Sequence, residues 1–188
     1  MRVIAGSLKG RRLKAPDWPG LRPTSDRLRE TLFNVLATRI DGARVADVYA
    51  GTGAVGIEAL SRGAREVTFV ESDRRAQELV AANLAHCGLV TRYTIVRAAA
   101  LRALESIDKD VVFDIVLLDP PYAITDAELA DVLAAVGPRL AIGGLAVLEH
   151  ATRHPVPDIA GRLVRSRDLV SGDSTLTFYE AGNPVAGP

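Results

Sequence analysis

From residue 44 onward, short apolar runs alternate with segments whose apolar residues recur at the spacing of an amphipathic helix. The apolar runs predict strands over residues 44–48, 66–70, 93–96, 113–118 and 144–149. The segments between them predict helices over residues 55–61, 74–86, 101–106 and 127–136. Repeated β-α units of this kind imply a parallel sheet with right-handed crossover connections.

The two ends of the chain depart from this alternation. Residues 163–170 and 175–180 predict two strands joined by a turn at 171–173, an antiparallel hairpin at the sheet edge. Residues 2–5 and 11–14 predict a small hairpin, and residues 25–37 predict a helix that Thr24 or Ser25 can cap. We therefore expect an α/β, Rossmann-like fold: a mostly parallel seven-stranded sheet with an antiparallel C-terminal edge hairpin, preceded by a small N-terminal hairpin and helix.

Composition narrows the class of protein. The chain has 188 residues, of which 48% are hydrophobic, and this suits one well-buried domain with a small appendage. Charged residues interrupt every apolar stretch before it reaches the length of a membrane span, and the first residues lack the apolar region of a signal peptide. The single cysteine, Cys87, excludes an internal disulfide, and the three histidines show no metal-ligand spacing. These features predict a cytoplasmic enzyme without a metal.

Charge is distributed unevenly, although the formal net charge is zero. Residues 1–40 carry nine Lys and Arg against three acids, which leaves an excess of six positive charges there and of six negative charges in the rest. Such a basic segment beside an acidic body predicts a grip on a polyanion, and the alternative is a solvated charged face. The candidate residues for this contact, which would bind RNA if the polyanion is RNA, are Arg2, Lys9, Arg11, Arg12, Arg22, Thr24, Arg27 and Arg29. The predicted domains are a basic extension over 1–40, a catalytic domain over 41–182 and a disordered tail over 183–188.

A glycine-rich loop follows the first predicted strand. Residues 51–56 satisfy G-x-G-x-x-G, and Glu71 lies twenty residues past the first glycine, so a dinucleotide-dependent dehydrogenase is one interpretation. Asp47, four residues before that glycine, favours a different cofactor. Its carboxylate would repel a pyrophosphate but can bind the α-amino group of S-adenosylmethionine, directly or through water. Asp47 also has a structural interpretation as an acceptor for loop N–H groups.

Asp119-Pro120-Pro121-Tyr122 follows the predicted strand over 113–118, at the edge where open α/β sheets bind ligands. The Asp119 carboxylate and the Pro120 carbonyl can accept hydrogen bonds from an amino group, and the Tyr122 ring offers a flat face for a base. These groups predict a pocket for a planar exocyclic amine, and hence methylation of a nucleobase. The alternative roles are a turn cap for Asp119 and a core ring for Tyr122.

At this point the chain resembles the class I methyltransferases with an Asp/Asn-Pro-Pro-Tyr/Phe motif. More narrowly, it resembles the bacterial 16S rRNA guanine-N2-methyltransferase family, on residues 2–6, 10–13, 22–34, 47–53 and 118–122. The resemblance implies transfer of methyl from S-adenosylmethionine to the N2 of one guanine of 16S rRNA, within the small ribosomal subunit or an assembly intermediate. The catalytic residues would be Asp119, Pro120 and Tyr122. The cofactor-binding residues would be Asp47, Tyr49, Gly51, Thr52, Gly53, Glu71, Ser72, Ala98, Ala99 and Asp119.

One stretch departs from the pattern of the resembled family. Many of its members place Asp or Asn after the third strand to bind the adenine amino group, whereas this chain has Ala98 and Ala99 there. We expect backbone groups at these two residues to take that role. Three other functions stay open: methylation of adenine N6 or cytosine N4, methylation of a protein amino group, and a noncatalytic RNA-binding or ribosome-assembly factor on the same fold.

Overall fold

The structure is a computed structural model and describes residues 1–19 and 25–182. The predicted tail over 183–188 lies outside the described residues. The helices are α1 (Asp26–Val35), α2 (Ala54–Ser61), α3 (Arg74–His86), α4 (Ala100–Ser106) and α5 (Asp126–Val136), and a 3-10 turn spans Gly137–Arg139. The strands are β1 (Arg44–Val48), β2 (Glu66–Glu71), β3 (Tyr93–Arg97), β4 (Phe113–Leu118), β5 (Leu140–Ala151), β6 (Ile159–Ala160), β7 (Leu163–Ser171) and β8 (Ser174–Ala181).

One sheet in the order β3-β2-β1-β4-β5-β8-β7-β6 organises the fold. The first five strands of this order are parallel, and β8, β7 and β6 add to β5 in antiparallel pairing. This confirms the predicted fold class, including the antiparallel edge hairpin. Within the described residues the sheet has eight strands rather than seven, because β6 adds a pair of residues to the edge. Two residues are too few to show the alternation that predicts a strand.

Helices cover both faces of the sheet. On one face, α1, α2 and α3 bury side chains such as Leu32, Ile57 and Val80 against alternate residues of the strands. On the other face, α4 and α5 bury Leu104 and Leu133 in a second apolar cluster. The central parallel strands β1 and β4 are therefore buried on both sides, which explains their nearly continuous apolar sequence.

The N-terminal segment forms the predicted hairpin, with an isolated antiparallel bridge between Arg2 and Arg12. The Val3 N–H donates to the Arg11 carbonyl at 2.9 Å, and the Gly10 N–H donates to the Val3 carbonyl at 2.9 Å. Val3 and Leu13 are buried in the same apolar cluster as α1, α2 and α3. The hairpin is thus packed onto the α/β body rather than projecting from it.

A buried carboxylate holds the hairpin on α2. The Glu58 side chain is fully buried, and its two oxygens accept hydrogen bonds from the backbone N–H groups of Ile4 at 2.7 Å and Ala5 at 2.9 Å. The Arg62 guanidinium, one turn further along α2, donates to Glu58 at 2.7 Å and balances its charge. Because both backbone groups need this one acceptor, Glu58 fixes where the hairpin sits.

Ser61 makes the second contact between α2 and the hairpin. Its carbonyl accepts from the Ser7 N–H at 2.8 Å, and its hydroxyl accepts from the Leu8 N–H at 3.0 Å. The close approach requires glycine at position 6, because a Cβ there would lie 1.9 Å from the Ser61 carbonyl oxygen. Gly6 also has φ +81°, a conformation that other residues rarely adopt.

We expect Glu58→Ala to destabilise the protein by about 3 kcal/mol, because it leaves two backbone N–H groups and the Arg62 charge without their acceptor. Chemical denaturation measures this loss. Glu78→Ala is the matched control, since Glu78 also pairs with an arginine one turn away, Arg74, but both side chains are exposed. We expect the control to cost less than about 0.5 kcal/mol. Equal losses in the two variants would contradict the clamping role of Glu58.

Candidate active site

A cavity of about 500 Å³ opens at the carboxyl ends of the parallel strands. Its lining comes from the loops after β1, β2 and β4, the end of β5, the start of α1 and the turn between β7 and β8. Among the described residues that line it, four are acidic and none is lysine or arginine: Glu71, Asp119, Glu149 and Asp173. This edge of the sheet therefore suits a cationic ligand and disfavours the pyrophosphate of a dinucleotide.

The glycine loop forms one wall of this cavity, and Glu71 holds it in place. One Glu71 oxygen accepts from the Gly51 N–H at 2.9 Å, and the other accepts from the Ser72 N–H at 2.7 Å. Tyr49 and Thr52 line the cavity with Gly51, Glu71 and Ser72. The structure thus brings these five residues together with Asp119, so that six of the residues predicted to bind the cofactor line one cavity.

Asp47 lies beneath the loop rather than in the cavity lining. It is only 4% exposed, and its Oδ2 accepts from the Gly56 N–H at 2.8 Å, the structural role that the sequence left open. Burial raises the pKa of Asp47 to about 7, and the nearby carboxylates of Asp119 and Glu71 add to the shift. Contact between Asp47 and the cofactor stays a prediction.

The loop after β4 forms the opposite wall. Its Asp119 N–H donates to the Val48 carbonyl at 3.3 Å, which joins the ends of β4 and β1. Asp119, Pro120 and Tyr122 all line the cavity. Tyr122 is 68% exposed, so the alternative role as a core ring is wrong. An acceptor pair and an exposed aromatic face therefore border the same space as the glycine loop.

Glu149 also lines the cavity, although the sequence indicates it only weakly, as an acid at a strand end near the ligand edge of the sheet. It lies on β5, beside the end of β4, and it is partly buried. Burial and the charge of Asp119 raise its pKa to about 8, whereas a hydrogen bond with Ser174 opposes the shift. The sequence signal is an acid near the carboxyl end of a buried strand, the same signal that identifies Asp119.

The predicted RNA-binding residues divide into three groups. Arg2, Lys9, Arg11, Arg12 and Arg27 are exposed on the hairpin and α1. Arg22 and Thr24 lie outside the described residues. Arg29 differs from all of these. Its side chain is fully buried, and its Nη2 donates to the Arg2 carbonyl and to Asp26, each at 2.7 Å. A buried guanidinium that ties the hairpin to α1 cannot contact RNA, so the predicted RNA-binding role of Arg29 is wrong.

The remaining predicted residues lie at the margin of the site. Gly53, at φ +75°, caps α2 and packs against Val80. Ala98 and Ala99 follow β3 and are not among the described residues that line the cavity. Their contact with adenine stays a prediction, as does a cofactor contact from Gly53. The described residues contain no group of His, Cys, Asp and Glu that could hold a metal ion, and no described helix is long and apolar enough to cross a membrane.

Comparison with known proteins identifies the family of this chain. The family described as "Conserved hypothetical protein 95" matches residues 1–180. Ribosomal RNA small subunit methyltransferase D of Escherichia coli K12 is 36% identical over 180 residues, which cover 96% of this chain and 89% of that protein. The protein of the same name from Haemophilus influenzae is 39% identical over 131 residues, covering 69% of this chain and 68% of that protein. The chain belongs to this family.

A solved structure agrees with this assignment. A hypothetical protein of Thermus thermophilus superimposes with a TM-score of 0.82 at 33% identity, covering 96% of this chain and 99% of that chain. The agreement extends over the hairpin as well as the sheet, because nearly the whole of each chain is matched. The family resemblance inferred from the sequence motifs is therefore confirmed.

We expect Asp47→Asn to change how the stability of the ligand-free protein depends on pH. The unfolded chain releases the Asp47 proton near pH 3.8, whereas the folded protein holds it to about pH 7. The folded protein therefore binds more protons, and its stability falls as the pH rises through this window. Asparagine removes this contribution, which amounts to roughly 4 kcal/mol at pH 8.

Thermal melting of both proteins between pH 4 and pH 8.5 measures this effect. The melting temperature of the variant should rise relative to the wild type by roughly 10 °C across the range. Asp114→Asn serves as the control, because Asp114 also accepts a backbone N–H, from Arg44 at 2.8 Å, but lies partly exposed at the other end of β4. Parallel melting curves for Asp47→Asn and the wild type would contradict the buried, protonated state of Asp47.

Proposed function

We propose that this protein transfers a methyl group from S-adenosylmethionine to the exocyclic N2 of a guanine in 16S rRNA. The observation that carries the proposal is one cavity bordered by both the glycine loop and the Asp119-Pro120 acceptor pair. The chain is an rRNA methyltransferase by its family membership. The choice of guanine N2, and of an assembled subunit or an assembly intermediate as the substrate, is the proposed part.

The residues of the cavity fit this cofactor. S-adenosylmethionine carries a positive sulfonium and an α-amino group, and the cavity presents carboxylates without a lysine or arginine among its described lining residues. Glu71 would bind the ribose hydroxyls while its oxygens keep their hydrogen bonds with the N–H groups of Gly51 and Ser72. Tyr49, Thr52 and Ser72 would complete the wall around the cofactor. A pyrophosphate would meet only like charge here, so the dehydrogenase interpretation loses its support.

The acceptor pair after β4 accounts for the reaction at an amine. The lone pair of guanine N2 is delocalised into the ring, and hydrogen bonds from its N–H groups to Asp119 and the Pro120 carbonyl would orient it toward the methyl group. S-adenosylmethionine, held by the glycine loop and Glu71, would supply the methyl group: as the C–N bond forms, the C–S bond would break and leave its electron pair on sulfur. The surplus proton on nitrogen passes to Asp119 or to water. Positioning supplies much of the rate, and Asp119 contributes as the acceptor.

Tyr122 and the hairpin offer contacts for the base and the phosphates of an RNA substrate. The exposed Tyr122 ring at the mouth of the cavity can stack on a base that has left its helix, a contact worth about 1–3 kcal/mol. Exposed Arg11 and Arg12 can bind phosphates. Because Glu58 fixes the hairpin on α2, these cations keep a constant position relative to the cavity.

We expect Asp119→Ala to lower methyl transfer by about a thousandfold or more while S-adenosylmethionine binds with nearly unchanged affinity. Transfer of labelled methyl to small subunits without native modification, followed by nucleoside analysis, measures the first quantity, and calorimetry measures the second. The wild type should yield N2-methylguanosine. Asp114→Ala, a change at the other end of β4, is the matched control and should keep activity. If the wild type labels adenine or cytosine, the mechanism stands and the proposed base is wrong.

We expect the double variant Arg11→Glu, Arg12→Glu to bind small-subunit RNA more weakly and with a shallower salt dependence. Losing two phosphate contacts should reduce the slope of log K against log salt by about 2. Filter binding over a range of salt concentrations measures this slope. The double variant Arg102→Glu, Lys109→Glu introduces the same change of charge at exposed positions in and after α4, on the opposite face of the sheet. Equal effects in the two double variants would exclude the hairpin as the RNA contact.

A further inference from the structure

We propose that Glu149 recognises the N1–H of the target base and so makes the active site specific for guanine. The inference rests on the proposed function, because it assigns a second contact to the base whose amine Asp119 binds. Glu149 would be a specificity-determining residue. It would take no part in breaking or forming the bonds to the methyl group.

Strand register places Glu149 beside Asp119. Leu118 of β4 pairs with Leu148 of β5 in parallel register, so the next residue of each chain segment is Asp119 and Glu149. Adjacent strands lie about 4.8 Å apart, so the two side chains are close enough to converge on neighbouring N–H groups of one base. Both side chains extend from the face that carries Leu117 and Val147, and both line the same cavity.

The chemistry of the bases makes this second acceptor selective. In guanine the atom next to the amino-bearing carbon on the Watson–Crick edge is N1, which carries hydrogen and donates. In adenine the atom next to the C6 amine is N1 without hydrogen, and in cytosine the atom next to the C4 amine is N3 without hydrogen. Both of these nitrogens are acceptors. A carboxylate beside Asp119 therefore gains a hydrogen bond from guanine and meets a lone pair in the other two bases.

The surroundings of Glu149 keep it available and oriented. Ser174, at the start of β8, lines the cavity with Glu149, and Leu176 is the register partner of Glu149 across the strand pair. The side chain is partly buried in the cavity, and a bound base would shield it further from water, so an acceptor left unmatched there would be costly. A cation bound in the same cavity favours the ionised carboxylate, the form that can only accept. A carboxyl group that stayed protonated could instead donate a hydrogen bond to N1 of adenine.

The test compares guanine with 2-aminopurine, which has the same N2 amine but lacks the N1 hydrogen and O6. Small subunits are assembled with either base at the position that the wild type modifies, and single-turnover methyl transfer is measured. The wild type should prefer guanine by about tenfold or more. Glu149→Gln should slow transfer to guanine by about tenfold or more, leave transfer to 2-aminopurine nearly unchanged, and so abolish most of the preference. Its affinity for S-adenosylmethionine should stay within about threefold of the wild type.

Two further variants and separate readouts keep the outcomes distinct. Glu180→Gln is the matched control, because Glu180 is exposed and pairs with Leu145, four residues before Glu149 on β5. Glu149→Asp keeps the charge and should retain part of the preference. An unchanged preference in Glu149→Gln, or a loss of cofactor binding, would overturn the inference while the proposed function stands. If the wild type makes no N2-methylguanosine at all, the proposed function itself has failed.

Discussion

The register of three adjacent parallel strands decides where chemistry can occur in this protein. Val48 of β1 is level with Leu118 of β4, which is level with Leu148 of β5. β1 and β4 end here, and β5 continues past this edge to Ala151. Side chains alternate between the faces of a sheet, and therefore Asp47, Asp119 and Glu149 all extend from the face that carries α1 and the hairpin. A slip of one residue in β4 would turn Asp119 to the opposite face and remove the acceptor from the cavity.

Placing these acids together has an electrostatic cost that the ligand-free protein must bear. Asp47 and Glu149 both have raised pKa values, chiefly because they are buried and in part because each lies near Asp119. Holding protons is the more stable state for buried carboxylates without a cation nearby. A cationic cofactor reverses the balance, since it favours the charged forms of the same groups. The cluster of carboxylates at this edge of the sheet is unfavourable in the ligand-free protein, but it suits the positive charge of the cofactor.

The hairpin and the glycine loop are joined by one buried amide. The Asn83 Nδ2 of α3 donates to the Thr52 carbonyl in the glycine loop at 2.9 Å and to the Lys14 carbonyl at 3.2 Å, while its Oδ1 accepts from the Lys14 N–H at 2.7 Å. Asn83 is fully buried, so these bonds are made without competition from water. Together with Glu58, this amide gives the basic hairpin a defined position beside the cofactor wall rather than a flexible attachment.

The success and failure of sequence reasoning here follow from how local each signal is. The β-α alternation and the Asp119 loop are local patterns, and the structure has the sheet and the cavity where these patterns predict them. Sequence reasoning misassigns Arg29 because helical spacing shows which residues share a face, and a charged residue is normally taken to face solvent. Its burial depends on the Arg2 carbonyl, which arrives from a distant segment. Glu149 is undervalued for the same reason: its position beside Asp119 depends on the pairing of β4 with β5, which connects residues thirty positions apart. Contacts of this kind are set by the packing of the whole sheet, so they become visible only when the strands are assembled.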